Sequence, residues 1–187
     1  FPYDDLVQNN RSRTRDEMEY ELLDTGVFDD NRYFDVFVEY AKGDVEDLLI
    51  QVSVANRGPA AADLHLLPTL WFRNTWQWDT EAAKPGLRVL DAAGAGSAIA
   101  ATHPALGERY LYCEALGGQN PGLLFTENET NVTRLWDQPN PTPYVKDAFH
   151  NYLVHGKQDA VNPAQTGTKA APCYRLNVGA GETVAVR

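Results

Sequence analysis

Apolar and polar residues alternate along this chain in short runs, and they almost nowhere recur at the spacing of a long helix. Across residues 32–42, Phe34, Val36, Val38 and Tyr40 alternate with Tyr33, Asp35, Phe37 and Glu39. This predicts a strand with two mixed faces, entered through a turn at Asp29-Asp30-Asn31. Leu48, Ile50, Val52 and Val54 then share one face, while Gln51 and Ser53 take the other. Asn56-Arg57-Gly58-Pro59 turns the chain into a returning strand through Leu64, Leu66 and residues 68–72. Such a hairpin suits a sandwich with one solvated side.

Further strands are predicted at residues 87–90, 97–102, 109–115, 122–126, 131–135, 152–155, 172–178 and 183–186, between Gly, Pro, Asn and Asp punctuation. A turn of helix fits residues 3–9, and one short helix fits residues 145–152. The small-residue run DAAGAGSAIAA, residues 91–101, reads as a hairpin or loop. No repeat or linker divides the chain. The expectation is one all-β domain spanning residues 1–187, an antiparallel β-sandwich with long loops and at most one or two short helices.

Composition narrows the function more than the fold. The chain has 187 residues, 43% hydrophobic and 22% charged, enough apolar matter for a core. Its formal net charge of −10 repels phosphate backbones and anionic lipid, so neither nucleic acid nor membrane is an expected partner. No apolar run approaches the roughly 20 residues needed to cross a bilayer. Two cysteines, Cys113 and Cys173, make no disulfide framework and read as buried thiols of a cytoplasmic protein. Asn10, Asn128 and Asn131 stand in Asn-x-Ser/Thr sequons, which short polar stretches produce readily by chance. The chain opens on Phe1 and closes on GETVAVR, which reads as a piece of a longer polypeptide.

The spacing of His65, His103, His150 and His155 matches no metal motif, GAGS at residues 94–97 lacks the lysine of a phosphate loop, and no GxSxG is present. No metal or cofactor is therefore implied. A glycosidase needs only two carboxylates, but 26 acidic residues offer no way to select a pair. The most conspicuous stretch is PTLWFRNTWQW, which holds three of the four tryptophans. Trp71, Trp76 and Trp78 could stack on sugar faces, with Arg73 and Asn74 supplying polar contacts. An extended chain points Trp76 and Trp78 the same way and Trp71 the other. The favoured expectation buries Trp71 in the core and turns Trp76 and Trp78 toward an edge or a neighbouring domain.

Several stretches together carry a resemblance: FPYDDLV, RDEMEYELLDTGVFDDNRYFDVFVEYAK, ANRGPAAADLHLLPTLWFRNTW, KDAFHNYLVHG and NPAQTGTKAA. They resemble bacterial glucosidase-like proteins related to glycoside hydrolase family 63. The resemblance implies an N-terminal β-sandwich of the supersandwich type, followed in the parent by an (α/α)6 barrel. That barrel carries the acid/base carboxylates of an inverting α-glucosidase-like enzyme, so no catalytic residue is carried over to this chain. By this resemblance the chain is the non-catalytic sandwich domain, its partner the barrel of the same polypeptide. Trp71, Arg73, Asn74, Trp76, Trp78 and His150 are the candidates for domain-interface or carbohydrate contact. The alternatives are a carbohydrate-binding module that takes oligosaccharide on the tryptophans, and an interaction domain that forms homo-oligomers.

Overall fold

Antiparallel pairing dominates the chain in a computed structural model that describes residues 2–79, 81–90 and 96–187. The elements run α1 (Tyr3–Ser12), β1 (Phe34–Asp44), β2 (Asp47–Asn56), β3 (Ala62–Leu66), β4 (Leu70–Trp71), β5 (Gly86–Leu90) and β6 (Ser97–His103). They continue through β7 (Gly107–Cys113), β8 (Gly122–Thr126), α2 (Val132–Trp136), α3 (Ala148–Val154), β9 (Thr166–Gly167), β10 (Lys169–Val178) and β11 (Thr183–Val186). The fold is all-β and sandwich-like, with few and short helices. The chain forms two compact units, one running to Leu64 and resuming at Leu176, the other spanning His65–Arg175.

The first unit holds a three-stranded sheet in the order β1-β2-β11. Val36 faces Val54, Val38 faces Val52 and Tyr40 faces Ile50 across the hairpin, while Val184 and Val186 meet Val54 and Val52 from the other side. The alternation read from the sequence therefore puts one apolar face together. That face is buried at Val52, Val54 and Val186 and exposed at Val36, Val38, Tyr40 and Leu48. Asn56 closes β2. Its Oδ1 accepts from the Gly58 amide at 2.8 Å, and its Nδ2 donates to the Ala60 carbonyl at 2.9 Å and the Val178 carbonyl at 2.8 Å. Its backbone N–H donates to the Glu182 carbonyl, and its carbonyl accepts from Gly181. The predicted turn thus doubles as the pin that holds the β10–β11 turn.

In the second unit, β7-β6-β5-β9 form a four-stranded antiparallel sheet. Leu87, Ile99, Ala101, Phe125 and Ala170 are buried together, with Leu70, Phe72, Val89, Leu111 and Leu123 packed against them. Leu124, Ala171 and Cys173 pack instead with Ala148 and Phe149 of α3. Paired strands β8 and β10 are thus covered on both faces, which explains their uninterrupted apolar runs, GLLF and AAPC. An added Cβ on Gly167 would lie 2.2 Å from the Thr126 carbonyl oxygen, so only glycine admits this approach of backbones.

Two predicted strands are helices. Residues 131–135 form most of α2 because the Asn131 side chain accepts from the Arg134 amide, and Asn140 Oδ1 accepts from Val132 and Thr133. These capping bonds outweigh the strand preference of Val132 and Thr133. Residues 152–154 continue α3, whose Ala148, Phe149, Tyr152 and Leu153 make one apolar helical face, and His155 caps it. Of the run 91–101, residues 97–101 lie in β6, and residues 91–95 fall outside the described residues. All three sequon amides are engaged within the fold: Asn10 donates to Tyr20, Asn128 to Phe72 and Asn131 to Asp147. No helix is long and apolar enough to cross a membrane among the described residues.

Asn56→Ala should destabilise the chain by about 2–4 kcal/mol, because the buried Gly58 amide and Val178 carbonyl, and the more exposed Ala60 carbonyl, lose their hydrogen bonds. Urea unfolding measures it, and Asn56→Asp should remain destabilised at neutral pH because a carboxylate cannot donate to Ala60 and Val178. Burial also pushes the Cys113 thiol from 9.0 up to about 11, and raises Cys173 in the same direction. An unfolded thiol loses its proton near pH 9 while the folded one keeps it, so this contribution to stability declines between pH 9 and 11. Urea unfolding across that range should show a shallower decline in Cys113→Ala than in the unaltered chain.

Candidate functional site

The tryptophan stretch begins on β4, where Leu70 pairs with Ala170 and Trp71 with Lys169. Leu70 and Phe72 take the two interior positions against the Phe125 cluster, so alternation turns Trp71 outward. Trp71 is 54% exposed, contrary to the expectation that it is core. Two inward-facing residues of the same parity leave it no interior position.

Beyond Phe72 the chain is held by Asn128, which follows β8. Asn128 Nδ2 donates to the Phe72 carbonyl at 2.8 Å, and its carbonyl accepts from Asn74 Nδ2 at 3.2 Å. The Asn128 amide in turn donates to Thr168 Oγ1 at 2.8 Å, and that hydroxyl donates to Glu127 Oε2 at 2.6 Å. Asn74 Oδ1 is buried with no hydrogen-bond partner among the described residues. The Trp78 amide donates to the Thr75 carbonyl, closing a turn, so Trp76 and Trp78 do not share the direction expected of an extended chain.

Trp76 lies half-buried and donates its indole N–H to Glu129 Oε1 at 3.2 Å. Lys84 sits 5.5 Å above the Trp76 ring and bridges two carboxylates, Glu127 Oε2 at 3.0 Å and Glu129 Oε1 at 3.1 Å. The Glu129 side chain is 8% exposed. Burial works against the Lys84 charge, yet hydrogen bonds and attraction from Glu127 and Glu129 hold its ammonium above the ordinary lysine value. Backbone bonds from Lys146 to Glu129 and from Glu127 to Tyr144 fix the same segment from the side that leads to α3.

What remains outward is Trp78, 72% exposed, with the Arg73 guanidinium 5.4 Å from its ring, and Trp71. His150 is not part of this network. It lies on the exposed side of α3, edge-on to His155 with ring centroids 5.0 Å apart. Among the described residues no group of three or more His, Cys, Asp and Glu is placed to hold a metal ion.

Sequence reasoning singled out the aromatics and missed Lys84, Glu127, Asn128, Glu129 and Thr168, which position them. The available signals were faint: the TENET run directly after an apolar strand, and Lys84 as the only lysine between Lys42 and Lys146. Chemically the carboxylate pair is a tie. Inverting glycosidases hold their two carboxyls about 6.5–9.5 Å apart with room for water and sugar between. Here the two bridged oxygens lie within about 6 Å of each other, set by the 3.0 and 3.1 Å contacts, with an ammonium between them.

Among curated proteins the chain is 38% identical over 219 aligned positions to a Saccharomyces cerevisiae protein described as "Uncharacterized protein YMR196W". The match takes in the whole of this chain and 20% of the yeast protein's length. The alignment is longer than the chain, so the yeast protein carries insertions within this region. No family model matches the chain, and no solved structure matches it.

Lys84→Met should destabilise the protein by about 1–3 kcal/mol, since it strands two carboxylates but removes a cation that is itself part-exposed. Glu129→Gln in that background should cost less than Glu129→Gln alone, a coupling that a double-mutant cycle in urea reads directly. Strictly additive costs would show that the bridge carries no net interaction.

Proposed function

We propose that this chain is the non-catalytic β-sandwich domain of a glucosidase-like glycoside hydrolase related to family 63, and that it packs on a catalytic barrel of the same polypeptide. The observation that carries the reading is the display of Trp71 and Trp78 on a segment immobilised by Asn128 and Glu129 beneath it. Large exposed aromatics on a rigid base lose little entropy on docking, and tryptophan and arginine are the residues most enriched where interfaces gain their energy. The match to one fifth of a longer yeast protein supports a domain-sized role within a larger chain. The locked Glu127–Lys84–Glu129 bridge supports the assignment of catalysis elsewhere, because neither carboxylate is placed to protonate a leaving group across a bound sugar.

A second reading is favoured by one arrangement. Arg73 over Trp78, beside Trp71, resembles a platform that stacks a sugar ring and pairs its hydroxyls, which would make the face a carbohydrate-binding surface.

The purified chain should release no product from nitrophenyl α-glucosides, and its tryptophan emission should not respond to malto-oligosaccharides. Turnover would sink the non-catalytic reading. A saturable emission change, lost in Trp78→Ala, would replace interdomain docking with sugar binding. In the longer polypeptide, Trp71→Ala and Trp78→Ala should speed limited proteolysis between the domains if docking is correct.

A further inference from the structure

A cavity of about 260 Å³ lies within the second unit, between β10, Tyr152 of α3 and the turn from Leu116 to Pro121. It exists because one strand position lacks a side chain. Gly122 pairs with Cys173 as Leu124 pairs with Ala171, so all four share the face that α3 covers. An added Cβ on Gly122 would meet nothing within 4 Å. The far wall is held in place at several points. Leu116 and Gln119 exchange backbone hydrogen bonds at 3.0 Å, the Tyr174 hydroxyl donates to the Glu114 carbonyl at 2.9 Å, and Ser97 Oγ donates to the Pro121 carbonyl at 3.1 Å. The cavity is therefore preformed.

Its polarity is graded from floor to mouth. Leu124 and Cys173 are buried, Leu116 and Tyr152 half-buried, and Asn120 and Arg175 exposed. The mouth is rich in donors. Asn120 Oδ1 is already taken by the Gly96 amide at 2.8 Å, which leaves its Nδ2 for another acceptor. Arg175 follows Cys173 on the same face of β10. Among the described residues no acidic side chain lies within ion-pair distance of it, in a chain whose net charge is −10. We propose that this cavity binds a small organic acid with a single apolar ring. The ring lies on Leu124, Cys173 and Tyr152, and the carboxylate sits on Arg175 and Asn120 Nδ2. Size selects one ring, because the volume falls just short of the roughly 300–1,000 Å³ of pockets that take larger ligands. Depth selects an apolar ring, because the hydroxyls of a sugar would go unpaired against Leu124 and Cys173. Charge selects the acid, because a guanidinium fork without a carboxylate of its own matches one in geometry and sign. The cavity shares no residue with the tryptophan stretch, so it stands apart from the function proposed above.

Fluorine NMR tests this with para-fluorobenzoate as the probe, whose signal should broaden saturably when the chain is added. Para-fluorobenzamide, the same ring without the charge, should bind about tenfold more weakly or worse. Glucuronate, a carboxylate without an apolar ring, should not displace the probe. Gly122→Val fills the cavity at a position with negative φ and open space, so it should keep the circular dichroism spectrum and lose the broadening. Arg175→Gln should weaken fluorobenzoate about tenfold and leave fluorobenzamide unchanged, a split that general loss of structure does not produce. No saturable broadening at millimolar probe would overturn the proposal. Binding that survives Gly122→Val would overturn the site, and equal losses of both probes in Arg175→Gln would overturn the role of the guanidinium. Displacement by glucuronate would overturn the ligand class.

Discussion

Carboxylates withdrawn from water must be given a cation and donors, and this requirement organises the second unit. Removing a carboxylate from solvent costs several kcal/mol unless its charge is met at close range. Glu127 and Glu129 follow β8 directly, and Glu129 is almost wholly enclosed. Their partners come from segments far apart in sequence: Lys84 before β5, Trp76 after β4 and Thr168 between β9 and β10. Meeting two charges thus ties three otherwise independent connections to one point. The exposed tryptophans are a consequence, because the segment carrying them is fixed from below by Asn128 and Glu129 and cannot fold over them.

The first unit is governed by a different constraint. Its sheet has one apolar face, and burial along that face is graded from Val54 and Val52 to Tyr40 and Leu48. Asn56 supplies the rigidity at the buried end, with each of its polar groups used once or more. At the exposed end, among the described residues, β1 is paired by β2 alone. Each unit therefore carries a distinct exposed feature, aromatic in one and a strand edge in the other.

Much of the first unit was legible from alternation alone, because a hairpin of adjacent strands is a local structure. Leu48 to Val54 share their face as the period of two requires, and the NRGP turn lies where Asn, Gly and Pro together demand one. Legibility failed at α2, where a side-chain cap from Asn131 and a second from Asn140 decided between helix and strand. It failed again at Trp71. There the large residue drew the eye, while the smaller neighbours Leu70 and Phe72 held the interior.

By itself the sequence determined the class of structure, the period-two strands and the acidic balance of charge. Those properties depend on residues close in the chain or on simple sums. Only the tertiary structure decided which of 26 acidic residues are buried, that Lys84 joins two of them, and which tryptophans reach the surface. The physical reason is that a buried charge is paired through space: Lys84 and Glu129 lie 3.1 Å apart but 45 residues distant along the chain, and no local pattern encodes that meeting.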